Sequence, residues 1–128
     1  MADSTDKKKI LILEDDSFSQ KIYISRLNKE NYAVTGTPSA VEVIRLAKKI
    51  KPDLFIVDMM VQDGNGFDVV KELRGLKEFK KTPIIALSNL GQEDDIVRAA
   101  KAGIDKYFVK SNTRFQEVLE EINKLIKK

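Results

Sequence analysis

The chain has 128 residues, 42% hydrophobic and 34% charged, with 23 basic and 20 acidic side chains for a formal net charge of +3. That length suits one domain around one core, the balance excludes a disordered chain, and no apolar stretch approaches the roughly 20 residues of a membrane span. With no Cys and no His, disulfides, thiol chemistry and imidazole catalysis are excluded; any metal site must use oxygen ligands, which suits Mg²⁺, Ca²⁺ or Mn²⁺.

The lysines are scattered over expected helices and both termini, so a solvated surface is expected and no direct contact with nucleic acid or membrane. The polar start, Met1–Lys9, lacks the apolar core of a signal peptide, and together with the absence of Cys it points to a cytoplasmic protein. Residues 1–7 read as a flexible tail and 8–128 as one domain.

In chain order, Lys9–Leu13 is a continuous apolar run and the first expected strand. It ends on Glu14, Asp15 and Asp16. Ser17 is the expected cap of a helix reaching Asn28, with Ile22, Tyr23 and Leu27 inward. Tyr32–Gly36 is a shorter, more polar strand. Ser39 then caps a helix whose Ala40, Val43, Ile44 and Ala47 share one face. Leu54–Val57 is four apolar residues without a break, ending on Asp58. A run of that kind between turn signals reads as a strand buried on both faces.

Asn65 caps an expected third helix with Val69, Val70 and Leu73 inward. Pro83 opens a fourth strand, Ile84–Leu87, ending at Ser88. Gln92–Ala102 is a helix with acids in its first turn and Gly103 as its stop. Lys106–Val109 is the fifth strand and leads to Lys110. The last helix carries the cleanest apolar stripe: Phe115, Val118, Leu119, Ile122, Leu125 and Ile126.

Strands alternating with helices specify an α/β protein, a single doubly wound five-stranded parallel sheet with right-handed crossovers. The most apolar strands, the first and third, belong at its centre and the second at an edge. All strands of such a sheet point the same way, so the residues after them meet on one edge. Glu14, Asp15, Asp58, Ser88 and Lys110 are expected there. Carboxylates this close repel one another, and a divalent cation relieves the repulsion. One carboxylate remains as a nucleophile that can form an acyl phosphate. Phosphoryl transfer needs charge neutralisation and in-line placement more than acid–base groups. Singly, each residue has a plainer role: Asp15 and Asp16 as helix caps, Ser88 as a loop hydroxyl, Lys110 as a solvated charge. Their joint position after four strands carries the reading.

The segments Lys9–Asp16, Asp53–Asp58, Asp63–Phe67, Pro83–Ser88 and Ala102–Lys110 together resemble the CheY-like receiver domain of two-component response regulators, over about Lys8 to Lys128. The resemblance implies a flavodoxin-like (βα)5 fold with strand order 2-1-3-4-5. It implies Asp58 as phosphoacceptor and a Mg²⁺ site, with Mn²⁺ as an alternative, from Glu14, Asp15, Asp58 and the Met60 carbonyl. The resemblance implies Asp15 as the direct ligand, with Glu14 acting through water. It further implies Ser88 and Tyr107 as switch residues, Tyr107 turning inward on activation, and Lys110 as partner of the phosphoryl group.

The implied donor is a histidine kinase or phosphotransfer protein. The implied output face joins the fourth helix, fifth strand and fifth helix. The protein is then a switch catalysing only its own phosphorylation and dephosphorylation, not a dedicated enzyme. No effector domain follows Lys128, so output is expected through a partner protein unless the sequence is a piece of a longer regulator.

Two positions depart from the family pattern. Gln62 and Ser111 stand where Pro is usual. Without Pro the Lys110–Ser111 peptide is expected trans, with Ser111 or Asn112 capping the last helix. Three other readings compete. A phosphatase with a nucleophilic Asp would place that acid after the first strand, with a second acid nearby as proton donor. An interaction-only receiver would not need the complete acid, hydroxyl and lysine set. A flavodoxin-type FMN carrier would place a hydroxyl- and Gly-rich loop after the first strand, where this chain has three acids.

Overall fold

The computed structural model describes residues 7–127. Its main sheet contains β1 (Lys9–Leu13), β2 (Ala33–Thr37), β3 (Leu54–Val57), β6 (Ile84–Ser88) and β7 (Lys106–Val109). The order is β2-β1-β3-β6-β7, all pairs parallel. This is the expected order, with β6 and β7 as the fourth and fifth strands of the sheet. Between β3 and the third helix the chain adds a hairpin that the sequence reading lacks, β4 (Met60–Val61) paired with β5 (Gly64–Asn65).

The helices are α1 (Ser17–Lys29), α2 (Ala40–Ile50), α3 (Gly66–Arg74), α4 (Glu93–Ala102) and α5 (Phe115–Ile126). They explain why the central strands are apolar without alternation. Leu11, Phe55, Val57 and Ala86 face one core, closed by Val43 and Ala47 of α2, Val70 and Leu73 of α3, and Ala99 of α4. Ile10, Ile12, Ile56 and Leu87 face the other, closed by Leu27 of α1 and Val118, Leu119 and Ile122 of α5. With a helix layer on each face, neither set of side chains meets water. Phe55 and Phe79 meet edge to face in the first core, ring centres 5.4 Å apart.

Several local expectations are corrected. Asp16, not Ser17, caps α1: its carboxylate accepts from the Phe18 amide at 3.1 Å and the Ser19 hydroxyl at 3.0 Å. An acid next to two free amides and a hydroxyl takes the cap one residue earlier. Ile22 is exposed, and Tyr23, Ile24 and Leu27 form the inward side of α1. β2 starts one residue late because the Tyr32 amide is still bonded to the Leu27 carbonyl, closing the turn after α1. Neither Ser111 nor Asn112 caps α5. Lys110–Asn112 is a 3₁₀ turn, and Arg114 precedes the helix with its amide donating to Glu117 at 2.9 Å. The Lys110–Ser111 peptide is trans, as expected. The tail read over 1–7 lies, apart from Lys7, outside the described residues.

Ser39 sits at the cap position of α2 without making the cap bond. Asp63, from the hairpin turn, supplies it: its carboxylate accepts from the Ala40 amide at 2.8 Å and from the Ser39 hydroxyl.

Candidate functional site at the carboxyl edge of the sheet

The sheet ladder runs one residue past the strands and fixes the backbone of the two buried acids. The Asp58 amide donates to the Leu13 carbonyl and the Glu14 amide to the Thr37 carbonyl, each at 3.0 Å. Glu14 and Asp58 are thereby held at the carboxyl ends of adjacent central strands, 5% and 6% exposed. Asp15 follows, half-buried. One carboxylate oxygen from each of Glu14, Asp15 and Asp58 lies within 4.8 Å of the others.

Lys110 enters from the end of β7 and bonds both buried acids, Asp58 Oδ2 at 3.0 Å and Glu14 Oε1. Asp58 Oδ1 accepts from the Met60 amide at 3.0 Å. Glu14 Oε2 accepts from the Asp16 amide at 3.0 Å. Burial pushes the Glu14 carboxyl above its ordinary value, with Lys110 pulling the other way. For Lys110, burial works against the ammonium, but bonds and charges from Glu14 and Asp58 outweigh it and hold its pKa above the ordinary lysine value. Three carboxylates face one ammonium, leaving an excess of negative charge. An oxygen-only donor set with that excess fits a hard divalent cation such as Mg²⁺.

Gly66 is required by a close approach. A Cβ there would lie 2.7 Å from the Asp58 carbonyl and 2.4 Å from Met59 Cε. The start of α3 therefore presses directly on the backbone that carries Asp58.

Ser88, fully buried at the end of β6, accepts from the Leu90 amide at 3.3 Å and has no bond to Asp58. Tyr107 donates from its hydroxyl to the Leu90 carbonyl at 2.6 Å, its ring packed against the first core. The ring is half-buried in this structure, with its hydroxyl held by the Leu90 carbonyl. Burial pushes the Tyr107 phenol up, with the neighbouring Ser88 hydroxyl opposing.

Glu14, Asp15, Asp58 and Lys110 come together, Met60 touches the group through its amide, and Ser88 and Tyr107 form a second pair joined through Leu90. Sequence reasoning missed Gln20, whose side-chain amide donates to the Glu14 carbonyl at 2.8 Å. It also missed the Gln62 amide, which donates to Asp15 Oδ2 at 2.9 Å, and Asp63. The Asp63–Gly64 turn signal marks the hairpin but not the helix it caps.

A doubly wound sheet of this order, with acids after β1 and β3 and a lysine after β7, defines a CheY-like receiver. Residues 10–123 match the family model described as the response regulator receiver domain, and the chain belongs to that family. It is 33% identical over 108 residues to the transcriptional regulatory protein ResD of Bacillus subtilis, covering 84% of this chain and 44% of ResD. The chain thus spans under half the length of that relative. It is 28% identical to the polar-differentiation response regulator DivK of Brucella ovis, over 88% of this chain and 94% of DivK. Among solved structures, it superposes on the receiver domain of the sensor histidine kinase PA1611 of Pseudomonas aeruginosa with a TM-score of 0.85 and 23% identity. That match covers 95% of this chain and 99% of the other, which carries a magnesium ion coordinated in its active-site cleft. Among the described residues no helix is long and apolar enough to cross a membrane.

Proposed function

We propose that this chain is a phosphoacceptor switch of two-component signalling. The observation that carries the reading is Asp58: a buried carboxylate at the end of a central strand, flanked by Glu14 and Asp15 and bonded to Lys110 and the Met60 amide. A carboxylate oxygen of Asp58 bonds to phosphorus as the P–N bond of a donor phosphohistidine breaks, and the imidazole leaves with that electron pair and takes up a proton. Water later cleaves the aspartyl phosphate and restores the carboxylate.

The carboxylates of Asp15 and Asp58 and the Met60 carbonyl would hold a divalent cation, with Glu14 acting through water. When bound, Mg²⁺ neutralises phosphoryl oxygens during transfer. Lys110, bonded here to both Asp58 and Glu14, then pairs with the phosphoryl group. Ser88 must break from the Leu90 amide to reach it, and that exchange is felt by Tyr107 through the shared Leu90 peptide neighbourhood. Phosphate shifts the population of this coupled pair by the extra contacts it makes in one state.

Two exposed apolar features support docking of partners. Phe18 and Ile22, one turn apart on α1, are exposed beside the acids and suit a donor kinase or phosphotransfer protein. Ile96 is exposed on α4, the first element of the output face of α4, β7 and α5.

The test is amide NMR with and without a small acyl phosphate and Mg²⁺. Wild type should shift around Ser88, Leu90 and Tyr107. Ser88→Ala should still take up phosphate but shift little there. Phosphorylation of wild type with no change near Tyr107 would remove the coupling.

A further inference from the structure

We propose that in this chain three hydrogen bonds at one hairpin turn do the work of the proline usual in the family, and that the Gln62 backbone amide is a positioning group for the metal ligand Asp15. The inference deepens the metal reading above and rests on it. Gln62 and Asp63 are the two turn residues between β4 and β5. The first reaches across 47 positions of sequence to Asp15 Oδ2, at 2.9 Å. The second caps α2 through the Ala40 amide and the Ser39 hydroxyl. A Cβ on Gly64 would sit 3.0 Å from the Ala40 side chain, so the turn lies tightly against the start of α2. The same hairpin carries Met60, whose amide bonds Asp58 Oδ1.

The turn is therefore tied on both sides, to the loop after β1 and to α2, while its first strand touches the buried acid. A chain with Pro at position 62 has no amide hydrogen there and cannot make the bond to Asp15. Its loop is held by the ring's fixed φ instead. In this chain the bond fixes the rotamer of a half-buried carboxylate and leaves Oδ1 free as a ligand. Partners of this kind, which orient a ligand without touching the metal, typically matter by about 10-fold or more in metal affinity.

The sign of the effect distinguishes this from ordinary loop stabilisation. Substitution toward a family's usual residue is commonly neutral or stabilising. Here Gln62→Pro should weaken Mn²⁺ binding about 10-fold, the size expected for losing such a partner. Gln62→Ala keeps the amide and should bind Mn²⁺ as wild type does. Mn²⁺ titration followed by electron paramagnetic resonance reads the affinity directly. Hydrogen exchange of the Gln62 amide, measured on metal-free protein, reads the contact: it should accelerate in Asp15→Ala. This second measurement decides the contact even where Gln62→Pro fails to fold.

Mn²⁺ binding by Gln62→Pro equal to that of wild type would overturn the positioning role alone. An exchange rate at Gln62 indifferent to Asp15→Ala would do the same. No Mn²⁺ binding by wild type would overturn the metal reading and the positioning role together.

Discussion

Lys110→Met removes the one ammonium that serves two buried carboxylates. The Lys110 side chain is 20% exposed, and those of Glu14 and Asp58 are 7% and 8% exposed. Each hydrogen bond to a charged group contributes about 1.5–3 kcal/mol, and breaking a buried pair by removing one partner costs about 3–5 kcal/mol. The backbone amides of Met60 and Asp16 stay on the two acids and soften the loss. A destabilisation of about 3 kcal/mol follows, which for a domain of this size lowers the melting temperature by about 10 °C. The assay is thermal unfolding at pH 7 without divalent cation, repeated with Mg²⁺, which should recover part of the loss by restoring positive charge. The folded pKa of Lys110 is raised. Its contribution is therefore complete below the unfolded lysine value and is lost as pH rises through the folded one. The gap between wild type and variant should hold through neutral pH and close above pH 10.5, the ordinary lysine value. A variant that melts with wild type at pH 7 would refute the reasoning, because the two acids would then need no cation.

Asp63→Ala should lower the melting temperature only where the carboxylate is charged. The Ser39 hydroxyl and the Ala40 amide hold the Asp63 carboxyl below its ordinary value. Wild type should therefore lead above pH 3.8, the ordinary Asp value, and lose that lead as pH falls through the depressed folded pKa; melts across the acid range check it. Arg74 donates to the carbonyls of Gly103, Phe79 and Thr82 at 2.7–2.8 Å and to Asp105 at 3.0 Å. Because lysine cannot span that fork, Arg74→Lys should cost about 2 kcal/mol in urea unfolding.

The centre of the fold is legible because β1, β3 and β6 are apolar on both faces, and only a parallel sheet between two helix layers buries such runs. The strand-end acids and Lys110 are legible for the same topological reason, since a parallel sheet delivers them to one edge. The hairpin is not legible: two-residue strands carry no periodicity, and Gln62 acts through its backbone, which sequence composition does not show. Helix starts slip by one to three residues where several cap formers compete. Asp16 wins over Ser17 at α1, and at α5 a 3₁₀ turn consumes Ser111 and Asn112 before Arg114. Tyr107 is legible as a residue but not in its rotamer, which depends on the Leu90 carbonyl.

The central claim is that Asp58 takes up the phosphoryl group, and the most direct measurement identifies the modified residue. Protein treated with a small acyl phosphate and Mg²⁺ is reduced with borohydride, which converts an aspartyl phosphate to homoserine, and the peptides are sequenced by mass spectrometry. Homoserine at position 58 alone, and none in Asp58→Asn, is the result expected. Homoserine at Asp15 or at any other aspartate, or an unmodified Asp58 in protein that binds Mg²⁺, would contradict the account.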